Sequence, residues 1–206
     1  LGKKKKNFPH GMMKMDLFQK TVNDLKEFPD KIKKIKIGNH GEPTMHPQLP
    51  KFIEYARNSG VADIIEVFTN GSKLNPKLNK ELVDSGLQRI NISLEGLTSE
   101  RYLKVAQAKI VWEDFVANIK DLYEYSRTKG DLVIYVKVVN NASELKGKTV
   151  FSMTEEEKNY FYKTFGDIAD EIYIEKIVPQ WAETQEDKQN AVDYTGMYDQ
   201  KTVQYK

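Results

Sequence analysis

Apolar positions recur along this chain in two alternating periods. Across residues 14–28, Met15, Phe18, Val22 and Leu25 stand three and four apart, which predicts an amphipathic helix stopped by Pro29. Residues 35–37 then read as a short strand running into the loop Gly38-Asn39-His40-Gly41-Glu42-Pro43. Residues 50–59 predict a second helix, with Phe52, Ile53 and Ala56 inward and Gly60 as its stop. The branched and aromatic residues 64–68 predict a strand closed by the turn Thr69-Asn70-Gly71. A helix over 77–85 ends at Gly86, and a third strand over 89–93 alternates Ile90 and Ile92 with polar partners before Leu94-Glu95-Gly96.

The alternation continues. Thr98-Ser99-Glu100 opens a short helical piece, and residues 112–126 predict a longer helix with Phe115, Ile119, Leu122 and Tyr123 on one face. A fourth strand over 132–139 ends at Asn140-Asn141. Residues 154–165 predict a helix with an aromatic face of Tyr160, Phe161 and Phe165, whose spacing favours core packing over a stacking platform. A fifth strand over 172–178 is stopped by Pro179, and beyond Trp181 the chain turns polar without a clear period.

Strands separated by helices pair in parallel, because a parallel neighbour needs a crossover, and the crossover is right-handed. Five such units predict an α/β fold, either a closing barrel or a doubly wound open sheet. Both place ligands at the carboxyl ends of the strands. Those ends carry Gly41-Glu42-Pro43, then Thr69-Asn70-Gly71, then Ser93 with Glu95, then Asn140 and Asn141, then Gln180 and Trp181. Polar groups from all five units therefore converge on one rim.

Composition narrows the classes. A chain of 206 residues, 39% hydrophobic and 30% charged, can bury a sizeable core. A net charge of +2 from 32 basic and 30 acidic residues makes no case for nucleic acid. No apolar run approaches a membrane span. Lys3–Lys6 form a basic stretch without an apolar region behind it, and with His10 they read as solvated. Cysteine is absent, so the chain offers no disulfide, thiolate nucleophile or sulfur-ligated metal site. His40, Glu42 and His46 have the residue types of a metal site, but Pro43 and Pro47 interrupt the helical presentation such a site uses. Phosphate-binding glycine loops and nucleophile elbows are missing.

Taken together, Gly41-Glu42-Pro43-Thr44-Met45-His46-Pro47, Thr69-Asn70-Gly71 and Ile92-Ser93-Leu94-Glu95-Gly96 resemble the radical S-adenosylmethionine enzymes, in particular the branch with a carboxy-terminal SPASM-type domain. The likeness covers the chain from about Gly11 to Trp181. It implies a partial, TIM-like (β/α)6 barrel in which the strands above are the second to sixth and the first lies upstream. It also implies a barrel core over 1–181 and a linker over 182–206 toward a further domain. The implied cofactors are S-adenosylmethionine and a [4Fe–4S] cluster, and the implied reaction is reductive cleavage to a 5′-deoxyadenosyl radical that abstracts hydrogen from substrate. By resemblance Gly41, Glu42 and Pro43 receive the cofactor ammonium, and Ser93 and Glu95 address the ribose. Thr69 and Asn70 line the methionine side, Ile177 and Val178 flank adenine, and Lys137 approaches the carboxylate. The implied partners are a small-molecule or peptide substrate and a one-electron reductant such as flavodoxin or ferredoxin, in the cytoplasm, with no nucleic acid and no membrane.

One departure is large: the family's cluster sits on a cysteine triplet that this chain lacks. The expectation is an excerpt beginning just after the cluster loop, inactive by itself. Two alternatives stand beside it: a cluster-free binding or scaffold relative, and an unrelated βα-barrel lyase or hydrolase using Lys137 or the His40/His46 pair.

Overall fold

The computed structural model describes residues 11–38, 41–140, 153–176 and 204–205. Helices α1 (Met15–Asp24), α2 (Leu49–Ser59), α3 (Pro76–Asp84), α4 (Ser99–Ala106), α5 (Trp112–Lys129) and α6 (Glu155–Phe165) alternate with parallel strands β1 (Ile32–Ile37), β2 (Ala62–Thr69), β3 (Arg89–Leu94), β4 (Val133–Asn140) and β5 (Glu171–Lys176). Three of the helices start where side chains satisfy free amides: Asn75 caps α3, Thr98 caps α4, and Thr154 with Glu157 forms a capping box on α6.

Neighbouring strands follow chain order from β1 to β5, and every junction among them is parallel. That order removes the doubly wound alternative, in which the strand order reverses at a switch point. With right-handed crossovers, an order without reversal puts every helix on the same face, as in a segment of a (β/α) barrel. Burial agrees. Ile65 and Val67, Ile90 and Ile92, Ile134 and Val136, and Ile172 are buried on the helix side. Each fully buried aliphatic side chain contributes about 1.5–3 kcal/mol.

The opposite face is polar. Glu66 of β2 accepts from Asn91 Nδ2 at 2.7 Å and lies 3.0 Å from Arg89 Nε. The Arg89 guanidinium donates twice to Glu171 of β5, at 2.9 and 2.7 Å, passing over the Tyr135 ring of β4 on the way. These residues tie β2, β3 and β5 together on the inner face, below the rim.

Several boundaries differ from the sequence reading. The first helix ends at Asp24 and finishes in a 3₁₀ turn, Leu25–Glu27, leaving Phe28 59% exposed. β1 starts three residues earlier than expected, because the adjacent exposed Lys33 and Lys34 interrupt its apolar alternation. In α6, Phe161 and Phe165 are buried but Tyr160 is 44% exposed, its hydroxyl accepting from Trp112 Nε1. Residues i and i+1 on a helix diverge by about 100°, so the predicted aromatic face narrows to two rings. Gln204–Tyr205 adds a sixth, antiparallel strand, β6, beside Glu171 and Ile172, in a stretch whose sequence carries no period. The predicted continuation of the fifth strand through Ile177 and Val178 lies outside the described residues, as do His10, His40, Asn141, Gln180 and Trp181.

Candidate functional site

Three loops leave the carboxyl ends of β1, β2 and β3 and enclose a cavity of about 680 Å³. It is lined by Gly38, Gly41, Glu42, Phe68, Thr69, Asn70, Ser93, Glu95 and Ala106. Six of the residues expected at the site thus come together here: Gly41, Glu42, Thr69, Asn70, Ser93 and Glu95. Pro43 follows at the start of a 3₁₀ turn, Pro43–Met45.

The loops keep their shape for local reasons. Gly38 has φ +97°, and a Cβ there would stand 2.7 Å from the Phe68 carbonyl, so only glycine lets the first loop cross the end of β2. Gly71 has φ +75°, and a Cβ would meet Phe115 at 2.9 Å. Both are close-approach positions.

Glu42 organises the first two loops. Its Oε1 accepts from the Thr44 amide at 3.0 Å and from the Thr44 and Thr69 hydroxyls at 2.5 Å each. Its Oε2 accepts from the Asn70 amide at 2.7 Å. The Thr69 hydroxyl accepts in turn from the Gly71 amide, and Asn70 Oδ1 accepts from the Ser72 amide. The side chains of Glu42 and Thr69 are therefore committed to the loops.

Ser93 and Glu95 differ. Neither side chain makes a hydrogen bond among the described residues, and both face the cavity. Ser93 shares the inner face of β3 with Arg89 and Asn91, two and four positions away. Burial pushes the Glu95 carboxyl above its ordinary range, and the nearby charge of Glu42 adds to the rise.

Lys137 reaches the inner face as expected, in register with Ser93, but it does not line the cavity. Its ammonium is held by Glu175 at 2.8 Å. Asn140 likewise serves the backbone, accepting from the Met153 amide at 2.9 Å. His46 Nδ1 accepts from the Gln48 amide, which leaves Nε2–H to donate to the Met13 carbonyl at 2.9 Å. With both ring nitrogens engaged, His46 is a structural residue, and no cluster of metal-ligating side chains occurs among the described residues.

Sequence reasoning missed Thr44, Phe68, Ala106 and Tyr102. Tyr102 is fully buried on α4, and its hydroxyl donates to the Asn70 carbonyl at 3.1 Å. Nothing in one sequence separates such a tyrosine from an ordinary core aromatic.

Fold and rim together define a βα-barrel segment with a polar ligand cavity at its strand ends. The profile of the Radical SAM superfamily matches residues 4–145, and the chain belongs to that superfamily of enzymes. A "Probable GTP 3′,8-cyclase" of Methanococcus maripaludis is 39% identical over 104 residues, covering 50% of this chain and 33% of that protein. A "Tungsten-containing aldehyde ferredoxin oxidoreductase cofactor-modifying protein" of Pyrococcus furiosus is 31% identical over 120 residues, covering 58% of this chain and 33% of its own length. The chain thus spans about a third of these curated relatives. Among solved structures, coproporphyrinogen III oxidase of Escherichia coli, described as a radical SAM enzyme, aligns at a TM-score of 0.55 and 14% identity, over 78% of this chain and 36% of that one. Family membership sets aside the unrelated lyase or hydrolase. No helix among the described residues is long and apolar enough to cross a membrane.

Proposed function

We propose that the cavity is the S-adenosylmethionine site of a radical enzyme and that Ser93 and Glu95 hold the ribose hydroxyls. One observation carries this reading: in a rim whose other polar side chains are largely tied into the fold, Ser93 and Glu95 are left facing a cavity large enough for an adenosyl ligand. A carboxylate raised by burial gains from ligand hydroxyl donors, which replace the water it has lost. The backbone of Gly41, Glu42 and Pro43 receives the ammonium, and the open space beside Gly41 admits it. Asn70 lines the methionine side, and Phe68 and Ala106 exclude water. Lys137 stands one strand further along the inner face and meets the carboxylate only by leaving Glu175. Ile177 and Val178 remain our assignment for the adenine edge.

S-Adenosylmethionine, when bound beside a reduced [4Fe–4S] cluster, supplies a radical that abstracts hydrogen from substrate. This chain has no cysteine to hold that cluster, and none of its residues is assigned to it. The wider proposal is a soluble enzyme of the reducing cytoplasm, served by a one-electron donor such as flavodoxin or ferredoxin and acting on a small molecule or peptide. Residues 1–181 form its core, and 182–206 lead toward a SPASM-type domain.

The test is calorimetric binding of S-adenosylmethionine to the complete protein. Ser93→Ala should weaken affinity by about 0.5–1.5 kcal/mol, the net worth of one hydrogen bond, with little change in melting temperature. An unchanged affinity would remove the ribose assignment.

A further inference from the structure

The geometry points to Tyr102 as a positioning residue that, in series with Glu42, ties the three ligand loops into one unit. The Glu42 carboxylate joins the first loop to the second by accepting from Thr44 and from Thr69 and Asn70. The Tyr102 hydroxyl joins the second to α4, the helix into which the third leads, by donating to the Asn70 carbonyl at 3.1 Å. The Asn70 residue is thus gripped on its N–H by one strand's loop and on its C=O by the helix that follows another.

The phenol is well placed for this. Tyr102 has no solvent exposure and is wedged against Trp112 and Phe115, with ring centroids 6.3 and 5.0 Å away. Phe115 in turn presses on Gly71, the residue after Asn70. Its rotamer is therefore set by packing, and its hydroxyl has a single place to go. Loops are ordinarily the mobile part of a fold. Here, moving Asn70 breaks a hydrogen bond to the first loop or to Tyr102, so the second loop and the third, which leads into α4, are held at a fixed separation. A ligand contacting both finds the distance already set and loses less freedom on binding.

The binding part of this inference rests on the adenosyl reading above, and the tether itself does not. Tyr102→Phe in the complete protein keeps the ring and removes only the hydroxyl. Amide hydrogen exchange of the ligand-free protein should then quicken about fivefold or more within 69–72 and 93–97, and much less in β4 and α5. Affinity for S-adenosylhomocysteine, a probe that is not cleaved, should fall by a similar factor. Combined with Glu42→Gln, the loss should be non-additive, because both changes free the same residue. Unchanged exchange in 69–72, or an equal rise across the whole chain, would overturn the tether. Failure of the unsubstituted protein to bind the probe would instead refute the adenosyl reading, while the exchange pattern still decides the tether.

Discussion

At the scale of single residues, Glu42 shows how a motif can be visible while its physical role is not. Its place on the rim follows from Gly41-Glu42-Pro43 after a strand. Whether its carboxylate meets a ligand or the chain depends on Thr44 and Thr69, 2 and 27 residues away. The structure gives it to the chain. Glu42→Ala should therefore lower stability by about 2–3 kcal/mol, the worth of one or two hydrogen bonds to a charged acceptor. Glu42→Gln should cost less: one oxygen still serves the threonines, while its amide group meets the Asn70 N–H donor to donor. Urea denaturation of the three proteins checks the order, and equal stability would show the carboxylate to be free. The rim positions of Ser93 and Glu95 were legible because they fall at the end of an alternating strand, Ser93 inside it and Glu95 just past it. Tyr102 was not, since its partner is a backbone carbonyl 32 residues away.

Among elements, the strands were legible because buried aliphatic residues repeat every second position in β3 and β4. Their ends were less so, since β1 is lysine-rich and exposed and β6 is only two residues long. The pairing of Arg89 with Glu171 was hidden altogether, because it crosses β4 and joins residues 82 apart. Arg89 holds the Glu171 carboxyl below its ordinary range by hydrogen bonding and by charge, against a smaller opposing effect of burial. A lowered folded-state value means the contribution is present at neutral pH and is lost as pH falls through that value. Glu171→Gln should accordingly be less stable than the natural chain at neutral pH, and the gap should close in acid. Thermal melts across that range test it. A gap that widens in acid would show that Glu171 is not the anchor of β5 on the inner face.

For the whole molecule, chain-order parallel strands put every helix on one side and leave a polar inner face beneath a rim of three tied loops. Such a scaffold opens a polar cavity at its strand ends. What the sequence could not show is the chemistry's other half, because the cluster's ligands are not among these residues. The most direct measurement is therefore made on the complete protein, reconstituted anaerobically with iron and sulfide and supplied with S-adenosylmethionine and a strong reductant. Our account predicts release of 5′-deoxyadenosine, diminished in Ser93→Ala and in Glu95→Gln. A reconstituted protein that shows cluster absorption and binds S-adenosylmethionine, yet releases no 5′-deoxyadenosine on reduction, would contradict it.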